Sequence, residues 1–231
     1  MERKKVIIVK DVYKTYHETK VPVKALRGVS IDIHQGEFTA IVGPSGSGKT
    51  TLLNLIGGLD RPTKGSIVVG DTDIATLSDN QLIDFRKEHI GFVFQSYNLI
   101  PVLTAKENVE FVMLLQKQPK AKRDARTAEL MAAVGLADRM DNRPSELSGG
   151  QQQRVAVARA LAPKPTFILA DEPTANLDSK STADLLDMMA KLNADEHITF
   201  VFSTHDQRVI DRARRIITIE DGKVLKDEWV Q

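Results

Sequence analysis

The chain has 231 residues with 32 Lys and Arg against 31 Asp and Glu, a net charge of +1. That length suits one large domain, and 42% hydrophobic with 27% charged residues excludes disorder over most of the chain. Near-neutral charge argues against non-specific polyanion binding; the absence of cysteine excludes a disulfide scaffold, a thiol nucleophile and a Cys-ligated zinc site.

The charged start Met1–Lys5 leads into Val6-Ile7-Ile8-Val9. Four apolar residues are too few for a signal-peptide core of roughly 7–15, so they are read as a strand. Val29, Ile31 and Ile33 alternate with polar residues and predict a half-buried strand. Phe38–Val42 is a buried-type strand halted by Gly43-Pro44, and a helix from Thr50 runs to Gly57-Gly58. Ser66–Val69 is read as a strand. Ser78 with Gln81, and Thr104 with Glu107, have capping-box spacing and open two further helices. Between them Ile90–Phe94 is a strand. Lys120–Val134 is a charged helix closed by Gly135.

Val155–Leu161 is helical until Pro163 and Pro165. Phe167–Ala170 is a buried strand ending at Asp171-Glu172-Pro173. Ser181–Leu192 is an amphipathic helix, and Ile198–Phe202 a strand before Ser203-Thr204-His205. Arg215–Ile219 and Lys223–Trp229 flank Asp221-Gly222, a hairpin-turn dipeptide. Strands and helices alternate at both ends and helices dominate between. The expectation is one α/β domain over residues 1–231 with a helical subdomain inserted at about 96–160. No stretch approaches the roughly 20 apolar residues of a membrane span, so any membrane role is expected through a partner.

Gly43-Pro44-Ser45-Gly46-Ser47-Gly48-Lys49-Thr50 fits G-x-x-x-x-G-K-[ST] at every position, between a strand and a helix. Glycines let the backbone wrap an anion, and successive N–H groups with the helix N-terminus point at phosphates. Lys49 supplies charge to the outer phosphates, and the Thr50 hydroxyl suits Mg²⁺. Alone, the motif specifies only a nucleoside triphosphate. Asp171, at the end of a buried strand, is the candidate Mg²⁺ carboxylate, which leaves Glu172 to face the attacking water. Leu147-Ser148-Gly149-Gly150-Gln151 opens another helix and forms a second anion nest. One triphosphate does not need two nests, so the second is expected to serve a nucleotide held by another copy of the chain.

Together these motifs resemble the nucleotide-binding domain of the ABC (ATP-binding cassette) ATPase family over essentially the whole chain. Gly43–Thr50 is similar to its Walker A motif, with Thr51 following. Phe167–Glu172 is similar to Walker B, and Leu147–Gln151 to the LSGGQ signature. Gln95 is similar to the Q-loop glutamine, Asn176-Leu177-Asp178 to the D-loop and His205 to the switch histidine. Tyr16 resembles the aromatic that stacks on adenine, although Tyr13 lies three residues away and could take that role.

The resemblance implies a P-loop NTPase fold with a RecA-like core, an antiparallel β-subdomain and the inserted helical subdomain. It implies ATP and Mg²⁺ as ligands, the metal near Thr50, Gln95 and Asp171. It further implies a head-to-tail homodimer with two ATP molecules sandwiched between subunits. Glu172, His205 and Gln95 would be catalytic, and Ser148, Gly149, Gly150 and Gln151 would complete the partner's site.

The stretches Gly91–Pro101 and Leu103–Val109, with Gly57–Thr63 and Ser148–Arg154, resemble the subgroup serving lipoprotein release and macrolide-type efflux. That implies separately encoded integral membrane subunits and a peripheral position on the cytoplasmic face of the inner membrane. The chain ends soon after its last hairpin, so no C-terminal regulatory domain is expected. Apolar residues around Asn98-Leu99-Ile100 fit either a docking surface or ordinary packing. The rival is a soluble ABC ATPase acting on nucleic acid or the ribosome. The interval from Thr50 to Leu147 leaves no room for a long coiled coil, and 231 residues cannot hold two cassettes. No nucleic-acid partner is therefore expected.

Overall fold

The computed structural model describes residues 4–17 and 21–230. Met1, Glu2 and Arg3 of the charged N-terminal run lie outside the described residues. Among the described residues no helix is long and apolar enough to cross a membrane.

The strands are β1 (Lys5–Tyr16), β2 (Val23–His34), β3 (Phe38–Val42), β4 (Lys64–Val69), β5 (Thr72–Asp73), β6 (Ile90–Phe94), β7 (Phe167–Asp171), β8 (Phe200–Ser203), β9 (Arg215–Glu220) and β10 (Lys223–Trp229). The helices are α1 (Lys49–Ile56), α2 (Asp79–His89), α3 (Ala105–Leu115), α4 (Lys120–Ala133), α5 (Gly149–Leu161), α6 (Ser179–Glu196) and α7 (Gln207–Ile210). One sheet is antiparallel, in the order β2-β1-β4-β5; the other has six strands in the order β10-β9-β3-β8-β7-β6. Strands β9, β3, β8, β7 and β6 run parallel, and β10 closes one edge antiparallel.

The six-stranded sheet is the middle layer, and its side chains alternate between two cores as a pleated strand requires. Val201, Phe167, Leu169 and Ile217 join β1, β2, β4 and α1 on one face. Phe200, Phe202, Ile168 and Ala170 join α3 through α6 on the other. The predicted helices after residue 96 are α3, α4 and α5, which pack on one another. Both predicted capping boxes form, Ser78 with Gln81 and Thr104 with Glu107. At the last hairpin, Asp221 (φ 47°) and Gly222 (φ 75°) both take the left-handed conformation that a type I′ turn needs.

The first two strands run well beyond their alternating cores. β1 continues past Val9 because Asp11 (φ 49°) forms a bulge at which the register shifts, and pairing with β2 then resumes. The two sheets are tied by a buried ion network. The Glu37 carboxylate accepts from the Thr39 hydroxyl at 2.7 Å and from Arg215 Nη1 at 3.0 Å, and Arg215 also pairs with Asp227 at 2.7 Å and donates to the Asp32 carbonyl. Arg215→Met is expected to strand the buried Glu37 carboxylate at a cost of about 3–5 kcal/mol. A thermal melt should show a fall of roughly 2–4 °C per kcal/mol for a chain of this size.

Candidate functional site

Four parallel strands end in register at one edge of the central sheet: Ile41 opposite Ser203, Ala170 opposite Phe202, and Phe94 opposite Asp171. The residues that follow those ends are Gly43, His205, Glu172 and Gln95, so strand pairing delivers them to one edge. The carboxyl edge of a parallel sheet is where open α/β proteins hold ligands. A cleft of about 640 Å³ lies there.

Gly43, Pro44, Ser45, Gly46, Gly48, Lys49, Thr50 and Thr51 line one side of the cleft. The loop has this shape because glycine alone fits it at two points. A Cβ on Gly43 (φ 149°) would lie 2.0 Å from the Ile219 carbonyl oxygen, and one on Gly48 (φ 107°) 2.6 Å from that of Ala25. A Cβ on Gly46 would meet nothing within 4 Å, so the crest of the loop faces open space. Gly43→Ala is therefore expected to cost about 3 kcal/mol or more, from overpacking plus a disfavoured φ, and Gly46→Ala about 1–2 kcal/mol. Chemical denaturation of the two variants measures the difference.

Lys49 is buried, and its ammonium donates to the Gly43 and Pro44 carbonyls at 2.8 and 3.0 Å, which holds it over the loop with one proton free. Helix α1 begins at Lys49 behind Gly48, with no side-chain cap. Its first N–H groups have no partner within the helix, so they suit phosphate oxygens. Ser47 does not line the cleft: it is buried, donates its N–H to Pro44 and accepts from Gly222 N–H at 3.0 Å. The carbonyl of Gly222 in turn accepts from Arg27 N–H at 2.8 Å. The tip of the last hairpin thus braces the phosphate loop against β2.

Of the two carboxylates, Glu172 lines the cleft and Asp171 does not. Asp171 accepts from the Thr50 hydroxyl at 3.1 Å. It does so across an intervening strand, because β8 separates β3 from β7; the carboxylate strand is not the phosphate loop's neighbour. Glu172 lies just past β7 with φ 45°, a strained conformation for a non-glycine residue, fixed by its N–H donating to the Ser203 carbonyl. Its side chain lines the cleft, with Oε1 2.7 Å from His205 Nδ1, and Oε2 accepts from the Thr204 hydroxyl at 3.2 Å. His205 and Gln95 line the same cleft and are exposed. Beyond His205, Arg208 holds the Asp206 carboxyl down to about 2, despite an opposing contribution from burial, and Asp206 accepts from Thr174 at 2.8 Å. A carboxyl held that low stabilises the fold above its ordinary value, and this support fades only as pH falls towards 2. The loop after His205 is therefore tied to the Glu172 turn throughout the neutral range.

At the far end of the cleft Tyr16 lines the wall, while Tyr13 lies against Gly28 and does not. The Tyr16 hydroxyl donates to Asp60 at 2.9 Å, and the Lys14 ammonium sits 4.7 Å from the ring centroid. Burial disfavours the Asp60 charge, but Lys14 and Tyr16 outweigh it and hold its pKa below the ordinary value. Val23, Lys24 and Ala25 also line this end. Sequence reading missed them, since the alternation in β2 is visible only from Val29 onward.

Ser148, Gly149, Gly150 and Gln151 are absent from the cleft wall and form the start of α5. Ser148 accepts from Gln151 N–H at 3.3 Å, while Ser148 N–H donates to the Gln151 amide oxygen at 2.8 Å. Ser148 itself is exposed. Asp178 caps α6, and the Ser181 N–H and hydroxyl hold its carboxyl below the usual range. Near the predicted docking stretch, Leu99 packs against the core and Val102 is exposed.

The oxygen donors Thr50 and Asp171 fit a hard divalent cation that takes its other ligands from phosphates and water. Among the described residues no group of three or more His, Asp or Glu could hold a metal unaided.

A glycine-walled anion loop facing a carboxylate and a histidine is the apparatus of a nucleoside-triphosphate hydrolase. The comparisons narrow that class. The ABC transporter family matches residues 26–175. An ABC transporter ATP-binding protein of Thermotoga maritima is 50% identical over 96% of this chain and 94% of its own length. A macrolide export ATP-binding/permease protein, MacB, of Brucella melitensis is 48% identical; the chain spans only 34% of it. The dimeric post-hydrolysis structure of the ATP-binding cassette MJ0796, bound to ADP and Pi, superposes with a TM-score of 0.89 at 43% identity, over 97% of this chain and 99% of that one. The chain belongs to the ABC transporter family and is an ATPase cassette of it.

Proposed function

We propose that the cassette works as an ATP-sandwich homodimer and powers an integral membrane partner of the macrolide-efflux type. One observation carries the reading: the cleft gathers Gly43–Gly46, Gly48–Thr51 and Glu172, while the exposed Ser148 lies outside it with Gly149 and Gly150. A single chain thus presents half of each of two sites. The dimeric MJ0796 cassette and the fused permease in the macrolide export relatives support both halves of the proposal.

In this reading Tyr16 stacks on adenine, the loop and Lys49 hold the phosphates, and Thr50, Asp171 and Gln95 would hold Mg²⁺. When bound, Mg²⁺ neutralises charge on the transferring phosphoryl group. Glu172 orients the attacking water and takes its proton; His205, hydrogen-bonded to Glu172, reaches toward the γ-phosphate. Residues 96–160 act as one helical subdomain that turns against the sheet as the dimer closes. The partner would place the cassette on the cytoplasmic face of the inner membrane.

Tagged protein purified from detergent-solubilised membranes tests the transport half. Co-purification of a multi-span protein is the expected result. Recovery with ribosomes or nucleic acid, and no membrane protein, would favour the non-transport reading.

A further inference from the structure

Gln153 is fully buried in α5, five residues beyond the exposed Ser148. Its amide nitrogen donates to two main-chain carbonyls, Phe94 at 3.2 Å and Pro173 at 2.8 Å. Phe94 immediately precedes Gln95, and Pro173 immediately follows Glu172. The β6–β7 ladder ends at Phe94 opposite Asp171, so the Gln153 amide bridges the two strands where their own pairing stops. Its Oε1 is buried without a partner. Turning the amide over would set that oxygen against two carbonyl oxygens, so one orientation is fixed.

The same helix holds the other end of the Gln95 turn. Arg159 donates to the carbonyls of Tyr97 and Asn98, both left-handed, at φ 58° and 50°. A Cβ on Gly149 would lie 2.7 Å from the Tyr97 hydroxyl, which donates to the Asn176 carbonyl; Asn176 donates to the Gln95 carbonyl at 3.0 Å. Five residues of helix span about 7 Å, so a displacement felt at Ser148 reaches Gln153 through rigid backbone.

We propose that Gln153 is a positioning residue that ties the Gln95 and Glu172 turns to the helix bearing Ser148–Gly150. Engagement of that helix by a second copy then sets the hydrolytic geometry of the subunit that carries it. The inference rests on the roles given above to Gln95 and Glu172.

Gln153→Met keeps the length and removes the donor. It should lower kcat for ATP by about tenfold or more while nucleotide affinity stays within about twofold, the pattern of lost positioning rather than lost binding. Gln153→Glu restores one donor only when protonated, and burial raises a carboxyl's pKa. Its activity relative to the unsubstituted protein should therefore rise as pH is lowered from about 8.5 to 6. A kcat within about twofold of normal for Gln153→Met, or a flat activity ratio for Gln153→Glu, overturns the proposal. So does failure of both variants to fold, which would make Gln153 a stability residue. Glu172→Gln, assayed alongside, separates the two readings. Normal turnover there removes the site assignment itself, whereas inactive Glu172→Gln beside active Gln153→Met removes only the role of Gln153.

Discussion

Glu172→Gln is expected to suppress steady-state ATP hydrolysis by about 10²–10⁴, the usual contribution of a positioned general base. That corresponds to about 3–5 kcal/mol of transition-state stabilisation. Binding should survive, because the glutamine is isosteric and the phosphate loop, Lys49 and Thr50 are untouched. The amide oxygen can still meet His205, now 2.7 Å from Oε1, so the strained turn should persist. With binding intact and turnover blocked, the two-site dimer should accumulate. Size-exclusion chromatography with and without ATP reads the dimer, and phosphate release reads the turnover. Normal hydrolysis in this variant would exclude Glu172 as the group that activates water.

Ser148→Arg should be as damaging by a different route. Within its own subunit the change is modest: loss of the cap to Gln151 N–H costs about 1 kcal/mol, and a cation at a helix N-terminus about 0.3–1 kcal/mol. The cleft contains no atom of Ser148, so a single subunit should bind ATP normally. Hydrolysis should vanish, because a long side chain would occupy the space of the partner's phosphates. A mixing experiment sharpens the result. Lys49→Ala alone should be inactive, but a mixed dimer with Ser148→Arg contains one composite site with both Lys49 and Ser148 intact. Partial recovery of ATPase activity on mixing is the expected result; full activity of Ser148→Arg on its own would exclude a shared site.

What the sequence made legible was local. The phosphate loop, the capping boxes and the Asp221-Gly222 turn are each specified within about eight residues; the capping boxes and the turn formed as read, and the loop lies between its strand and helix with Ser47 turned away from the cleft. Features that depend on distant pairing were hidden. Nothing around Asp11 announces that β1 resumes after a bulge, since the partner strand decides it. Strand order was equally invisible: short apolar runs such as Phe38–Val42 and Phe200–Ser203 are interchangeable as sequence, so the insertion of β8 between β3 and β7 could not be read. Gly43, Gln95, Glu172 and His205 come together because they follow strand ends, and parallel register aligns those ends whatever the order. Gln153 escaped notice for the opposite reason. An amide within a run of three glutamines has no distinguishing neighbour until the fold places two carbonyls beside it.

The brace between Gly222 and Ser47 joins the phosphate loop to a segment made much later in synthesis. Its loop is translated early, near position 43, but the backbone contact that backs it comes from position 222. A growing chain would expose a glycine-rich anion trap without its rear wall for most of its synthesis. That contact can form only once the final hairpin has been made, which ties the finished shape of the loop to a segment about 175 residues further along the chain.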